Sequence, residues 1–459
     1  PQAPFLQTAE LRTAGDEVFS LDRIVADVPN GTLFFTMRAH GVERLDFAEA
    51  ARWLVHAHAF DTSGIKSGAV GDPRVKKGKV YPQGVGWAGN LGGVFVEGDD
   101  LRETLLLNLI AFDTDNLRID PARDLPAWRQ EPRGPQQLDE IELSRRPAGL
   151  RDLYTWQSRR IRLHFDADGV YGVVLAYGDS LSPHNKHVHE PMTAWRRSPA
   201  QEKKLRLAQV YLPREHDPSR SAWRGLGALV AGRAEGTEQR KEAAAIVRPR
   251  ILDWVARLTV EGPLPDDFLI RARLVGAVYG TQQSVIDDMV DDAVTMPIVL
   301  LHERNKELGQ TAIDAVADAE KAVTILGDLA SDLAKASGTD PAPAVAAALA
   351  LGFGMLDGPF RQWLTTLTPG ADAGERRVAW QRETYKIITR LGRDLVDSAG
   401  DPAWEGRIVQ TKKGQKIWLN ASYAKEVFGN RLRKELPGAR QSDDPSPEQA
   451  SEQMLEVPS

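Results

Sequence analysis

Three histidines crowd into "PHNKHVHE", at His184, His187 and His189, the densest imidazole cluster in the chain. Imidazole nitrogens ligate zinc, and residues two apart on a strand share a face, so His187 and His189 could serve a metal-dependent enzyme. The cluster lacks a helical i, i+4 pair and a second carboxylate-bearing motif, and a solvated loop of polar histidines is the better reading. With no cysteine in the chain, disulfides, thiolate metal sites and zinc fingers are excluded. Neither His-Glu-x-x-His nor Gly-x-Ser-x-Gly occurs. The expectation is therefore a protein that is not an enzyme, with no catalytic residue, no metal and no cofactor.

A second group of residues is suited to binding. "QGVGWAGNLGG" (83–93) carries Gly86, Gly89, Gly92 and Gly93 around Asn90 and Leu91. It lacks the Gly-Lys-Ser/Thr ending of a phosphate loop and leads into a strand-like run, so a nucleoside triphosphate site is not expected. Such glycines allow a backbone to approach another surface closely, with Asn90 offering hydrogen bonds; a tight connection explains them equally well. Upstream, Lys66, Arg74, Lys76, Lys77 and Lys79 fall within fourteen residues, as a phosphate-tracking patch or an ordinary solvated loop. Arg196 and Arg197 follow Trp195, and "TKKGQK" (411–416) adds a further basic point. The net charge of -6 gives no global pull toward nucleic acid, so any such binding must be local. Finally, "VYGTQQSVID" (278–287) puts Gln282 and Gln283 at the tip of a turn, where glutamine brings neither a turn preference nor tolerance of positive φ.

The elements that must position these residues divide by texture. At 459 residues the chain fits two or three domains. Over 1–300, short β-like runs such as "GTLFFTM" (31–37), "GVFVEG" (93–98), "RRIRLHF" (159–165) and "GVYGVVLAYG" (169–178) mix with the amphipathic segments 47–60 and 101–110. From 301 the periods become helical, with Ile313, Val316, Val323, Leu326, Leu329 and Leu333 on one stripe and Asp340 as a cap before Pro341. Four helices, over about 311–336, 344–367, 375–399 and 418–436, suggest an antiparallel bundle. The predicted fold class is α+β: a mixed amino-terminal α/β domain (1–300), a carboxy-terminal four-helix bundle (301–437) and a disordered tail (438–459). No run of 18 or more apolar residues and no signal pattern is present, which predicts a cytoplasmic protein without membrane contact. The chain opens without Met, directly on the apolar "PFLQ", and an upstream segment is expected to be missing from this numbering.

At "GNLGGVFVEGDDLRETLLLNLI" (89–110), "LRDLYTWQSRRIRLHFDADGVYGVVLAYGD" (150–179) and the opening "PFLQT", the sequence resembles the CasA family, the large subunit of the type I-E Cascade complex of CRISPR immunity. The resemblance runs through nearly the whole chain. It implies a non-catalytic subunit that recognises the protospacer-adjacent motif on double-stranded DNA from the minor groove, starts strand separation and helps recruit a helicase–nuclease. The family's glycine loop corresponds to Gly86, Gly89, Asn90, Leu91, Gly92 and Gly93. Arg196 or Arg197 stands in for its lysine finger, and its glutamine wedge falls best on Gln283, with Gln282 beside it. The basic loop with Lys66, Arg74, Lys76, Lys77 and Lys79, anchored by Phe60, would contact the 5′ end of the guide RNA and the adjoining backbone subunit. The small subunit and the subunit capping the guide end would be further partners. Where some relatives carry a cysteine-rich metal knuckle this chain has "HFDADGVYG", so no zinc is implied. A helical scaffold without DNA contact is the remaining alternative.

Overall fold

The computed structural model describes residues 4–26, 41–110, 117–230, 245–262, 264–410 and 414–442. The expected strand at 31–37, most of the expected tail and residues 411–413 of the basic "TKKGQK" lie outside that set. Helices and strands are mixed in the α+β manner, and the chain divides into two compact units. One comprises residues 1–220, 233–255 and 272–293, the other 221–232, 256–271 and 294–459.

In the first unit, the segment expected to be amphipathic forms the helix Phe47–Phe60. Its start is fixed by Asp46, whose carboxylate accepts the Glu49 amide at 2.7 Å. Ala50, Leu54 and Ala57 of this helix share a buried cluster with Ile161, Leu163, Val173 and Leu175. Those four belong to a strand pair, and the cluster fixes where the helix ends and therefore where the loop after Phe60 begins. Ten strands occur in or reach this unit: β1 (Lys66–Ser67), β2 (Lys79–Val80), β3 (Gly93–Glu97), β4 (Arg159–Asp166), β5 (Gly169–Tyr177), β6 (Trp195–Arg197), β7 (Tyr211–Pro213), β8 (Ile246–Val247), β9 (Leu269–Tyr279) and β10 (Ile286–Pro297). β4 and β5 pair antiparallel from Arg159↔Tyr177 to Asp166↔Gly169. The remaining strands pair as β1-β2, β7-β6-β8 and β10-β9-β3. The segment 101–110 is helical over Leu101–Leu107, capped by Asp100.

The second unit holds four long helices: Lys306–Ser337, Pro341–Leu364, Ala373–Asp397 and Ala421–Glu435. The first packs against each of the other three. Val316, Val323, Leu326, Leu329 and Leu333 of its stripe are buried, each contributing roughly 1.5–3 kcal/mol when fully removed from water. Gly338, at φ 78°, ends it, and Asp340 caps the next helix by accepting the Ala342 amide at 3.0 Å. At the centre, Phe360 stacks on Trp223 at 4.4 Å and meets Trp380 edge-on at 5.1 Å. Pro341–Leu364 is also long and apolar enough to cross a membrane, with an 18-residue window of mean hydropathy 1.3. Ala348, Gly352, Leu356 and Phe360 form its buried ridge. The last helix begins later than the periodicity suggested. Trp418 belongs to β12 (Lys416–Leu419), paired antiparallel with β11 (Arg407–Gln410), and Asn420 is the helix cap.

Candidate nucleic-acid interface

The glutamine turn is built by β9 and β10, which converge on Gly280 to Val285. The Gly280 amide donates to the Val285 carbonyl at 3.1 Å and the Gln283 amide to the Gly280 carbonyl at 2.9 Å. Gln282 and Gln283 both take left-handed conformations, with φ of 56° and 54°. Both thus occupy the backbone region for which glutamine has no intrinsic tolerance. A side chain in that region costs roughly 1–2 kcal/mol per residue, so two in succession persist only where surrounding contacts hold them.

Those contacts are identifiable. The Gln283 carbonyl accepts the Ser63 amide at 2.7 Å, and the Gln283 carboxamide donates from Nε2 to Asn90 Oδ1 at 2.8 Å. The Tyr279 hydroxyl donates to the Phe60 carbonyl at 2.7 Å, and burial pushes its pKa up. Gln283 is half-buried, whereas Gln282 is exposed and makes no side-chain hydrogen bond among the described residues. The structure thus joins Asn90 to Gln283 and separates the two glutamines by exposure.

In the glycine loop, the close approach that glycine permits is to the protein itself. A Cβ on Gly86 would lie 2.4 Å from the Ala59 carbonyl, on Gly89 2.4 Å from the Tyr279 hydroxyl and on Gly92 2.2 Å from the Arg214 carbonyl. Gly93 opens β3, with the Val275 carbonyl 3.0 Å from its would-be Cβ, and Leu91 is half-buried. The loop is pinned by the Gly86 amide donating to the Asp61 carbonyl at 2.8 Å.

Beneath both features lies Arg159, 2% exposed, which pairs through Nε with Asp61. Its Nη2 donates to the carbonyls of Asp61, Thr62 and Gly84 at 2.9, 3.1 and 3.0 Å. Lys66 joins the same carboxylate at 2.9 Å. Burial works to raise the Asp61 carboxyl, but the two cations outweigh it and hold the group below the usual range. His58 completes the network: its Nε2 lies 2.9 Å from the Leu6 carbonyl and its Nδ1 faces the Arg159 amide at 3.3 Å. Burial lowers its pKa to about 4, keeping it neutral, with Nε2–H as donor and Nδ1 as acceptor.

The basic residues fall into two sets. Lys66 is committed to Asp61, and Arg74 to Asp72 and to the carbonyls of Tyr177 and Gly178. Lys76 and Lys77 on the β1-β2 loop and Lys79 at the start of β2 are exposed, and Lys77 (φ 52°) and Gly78 (φ 74°) make a left-handed tip. Phe60 is half-buried, its ring 5.5 Å from His56. Of the two arginines on β6, Arg197 pairs with Glu202 at 2.7 Å, whereas the Arg196 side chain is exposed and makes no hydrogen bond or ion pair among the described residues, though its charge reaches Glu215.

The histidines do not converge. Lys186–Val188 is a 3-10 turn, not a strand, so His187 and His189 share no strand face. His184 meets the Ser182 hydroxyl at 2.9 Å, His187 packs 4.8 Å from the Tyr211 ring and His189 faces the Arg118 carbonyl at 3.1 Å. Among the described residues no group of three potential ligands could hold a metal ion. Next to them, a cavity of about 140 Å³ backs the glycine loop, lined by Val85, Trp87, Asn90, Lys186, Glu190 and Trp195 among others. Burial raises Glu190 to about 7; its Oε1 accepts the Met192 amide at 2.8 Å. Thr193 offsets part of that rise through its hydroxyl and amide, and the Trp195 indole nitrogen makes no hydrogen bond among the described residues.

Sequence reasoning missed Ser63, Asp61, Tyr279 and Arg159. Tyr279 directly precedes Gly280 in the singled-out turn, and Arg159 opens β4 in a doubled arginine, an unusual start for a buried strand. Ser63 leaves no periodic signal: it contributes its backbone amide to Gln283 and its hydroxyl to Gly84, both fixed by the fold.

A model of the CRISPR-associated protein Cse1 family matches residues 1–391. The solved Cse1 of Thermobifida fusca is 70% identical, with a TM-score of 0.86 over 96% of this chain and 80% of that one. Cse1 of Acidimicrobium ferrooxidans is 28% identical, with a TM-score of 0.73 and the same two coverages, 96% and 80%. The CRISPR-associated protein CasA/Cse1 of Thermus thermophilus is 27% identical over 350 residues, 73% of this chain. The match spans 59% of that relative's length. With the family model covering most of its residues, the chain belongs to the CRISPR-associated protein Cse1 family, the CasA family that its sequence resembles.

Proposed function

We propose that the chain is the non-catalytic large subunit of a type I-E CRISPR surveillance complex, reading the protospacer-adjacent motif of double-stranded DNA and starting its separation. Family membership supports the setting. The observation that carries the DNA-reading part is the Gln283–Asn90 hydrogen bond at 2.8 Å, which makes the glutamine turn and the glycine loop one surface. In the minor groove every base pair shows acceptors at purine N3 and pyrimidine O2 and only G·C adds the guanine amino donor, so short uncharged side chains suffice to read it permissively. Side chains inserted between base steps kink the duplex at a cost of roughly a few kcal/mol per step, and a preformed strained tip is suited to that task. Asn90 and its loop face base edges, Arg196 supplies the finger, and the turn that carries Gln282 and Gln283 supplies the wedge. Lys76, Lys77 and Lys79 remain free to meet the 5′ end of the guide RNA or the phosphates beside it. The backbone, small and guide-end-capping subunits and a helicase–nuclease are the further partners, in the cytoplasm.

The test is duplex opening by the complex assembled with guide RNA. Replacing both Gln282 and Gln283 by Ala is expected to lower opening of an intact target while leaving binding to a pre-opened, guide-matched target intact. Equal loss on both targets removes the wedge role. Arg196→Ala is expected to weaken motif-dependent binding more than Arg197→Ala, since Arg197 already holds Glu202.

A further inference from the structure

The two glutamines sit side by side in sequence and in similar conformations, yet differ in every contact. Gln282 is exposed at the tip with a side chain that touches no polar partner among the described residues. Gln283 is anchored at three atoms: its amide to the Gly280 carbonyl, its carbonyl to the Ser63 amide and its Nε2 to Asn90 Oδ1. The Ser63 hydroxyl in turn accepts the Gly84 amide at 3.1 Å, so a second path runs from Gln283 into the glycine loop. A residue held at three points in a left-handed conformation is poorly placed to leave its seat and enter a base stack. It is well placed to hold its neighbour's backbone in the conformation that projects it.

We propose that Gln282 is the side chain that enters the duplex, and that Gln283 is a positioning residue that couples the tip to Asn90, so that what the glycine loop meets in the groove is felt at the wedge. This rests on the DNA-reading function proposed above. The coupling follows from the inventory of the pair. Asn90 Oδ1 is an acceptor occupied by Gln283, and its Nδ2 group is the donor that groove acceptors on adenine and thymine require. A base edge that takes Nδ2 fixes the carboxamide plane and with it the Oδ1 that orients Gln283. A G·C step, where the guanine amino group obstructs that approach, leaves Asn90 free to turn, and the tip loses one of its three anchors.

The experiment uses the complete guide-loaded complex and two duplexes, one with a functional motif and one with the motif scrambled. Permanganate reactivity of unpaired thymines reads opening, and the ratio between the duplexes reads discrimination. Gln282→Ala is expected to cut opening at least tenfold on the motif duplex. Gln283→Met, which keeps length and loses the donor, is expected to lower the discrimination ratio at least fivefold. In an Asn90→Ala background, Gln283→Met is expected to lower the ratio no further, because the coupling is already gone. A purely structural role for Gln283 would shift thermal stability without moving that ratio. The proposal is overturned if Gln283→Met leaves the ratio unchanged, if its effect adds in full to that of Asn90→Ala, or if Gln282→Ala leaves opening intact. A parent complex that treats both duplexes alike would instead overturn the DNA-reading function itself.

Discussion

The glutamine turn and the helical half solve opposite problems. Around Phe360, the tryptophans 223, 363 and 380 and the stripe of the 306–337 helix gain stability from dense apolar burial in relaxed geometry. The turn at 280–285 has little apolar burial, holds two side-chain-bearing residues in left-handed geometry and depends on hydrogen bonds converging from Ser63, Asn90 and Gly280. One region accumulates stability, and the other retains strain that its neighbours must restrain. The difference teaches where a substitution will be felt as lost folding free energy and where as altered function.

The sharpest test removes one linchpin from each region. Phe360→Ala should cost about 3–5 kcal/mol through the cavity it leaves. Arg159→Met should cost a similar ~3–5 kcal/mol, because it strands the buried Asp61 beside Lys66 alone. Chemical denaturation measures both, and a loss under 1 kcal/mol for Arg159→Met would mean that the loops of the first unit do not depend on it.

The next test uses pH. Glu190 titrates at about 7 in the folded chain, against 4.5 ordinarily, because burial disfavours its anion. Its contribution to stability is therefore complete below pH 4.5 and is lost as pH rises through 7, on the order of 3 kcal/mol in all. Glu190→Gln should gain stability relative to the parent between pH 5 and pH 8. The neutral histidines 58 and 187, both lowered to about 4 by burial, act in the opposite sense, so only the difference between variant and parent isolates Glu190. A difference that is flat with pH would contradict the shift.

Smaller effects sharpen the contrast further. Gln282→Gly should raise the denaturation midpoint, by up to about 1 kcal/mol of stability, while lowering duplex opening. An unchanged or lower midpoint would mean that the turn holds no strain. Replacing Lys76, Lys77 and Lys79 with Ala should change stability by less than about 0.5 kcal/mol. The slope of log affinity against log salt should become shallower by about 0.9 for each duplex phosphate that these lysines neutralise. An unchanged slope would place them off the nucleic acid.

The helical half was legible because period 3.6 is written directly in residue type: the stripe through Val316 and Leu333 is buried as its spacing predicts. Trp418, a residue of β12, was misread as a helix start because a short hairpin feeding a capped helix shares the helix's apolar spacing. In the first unit, helix 47–60 was legible for the same reason, and strands β3, β4 and β5 as short β-like runs. What the residues alone could not convey is that Gln283 would reach Asn90, 193 positions away in sequence, or that Arg159 would gather carbonyls from two loops. Such contacts are fixed by the fold and leave no periodic trace. The family resemblance brought the glycine loop and the glutamine turn together as a set of residues, without the hydrogen bond that joins them.

The ties among Ser63, Gly84, Gly86 and Gln283 carry a consequence for hydrogen exchange. Three amides in this web, those of Ser63, Gly84 and Gly86, donate respectively to Gln283, to the Ser63 hydroxyl and to Asp61. Loops this far apart in sequence would ordinarily open one at a time. Here an amide of one cannot reach solvent without loosening its neighbours, so the three should exchange at a common rate, as a single cooperative opening unit.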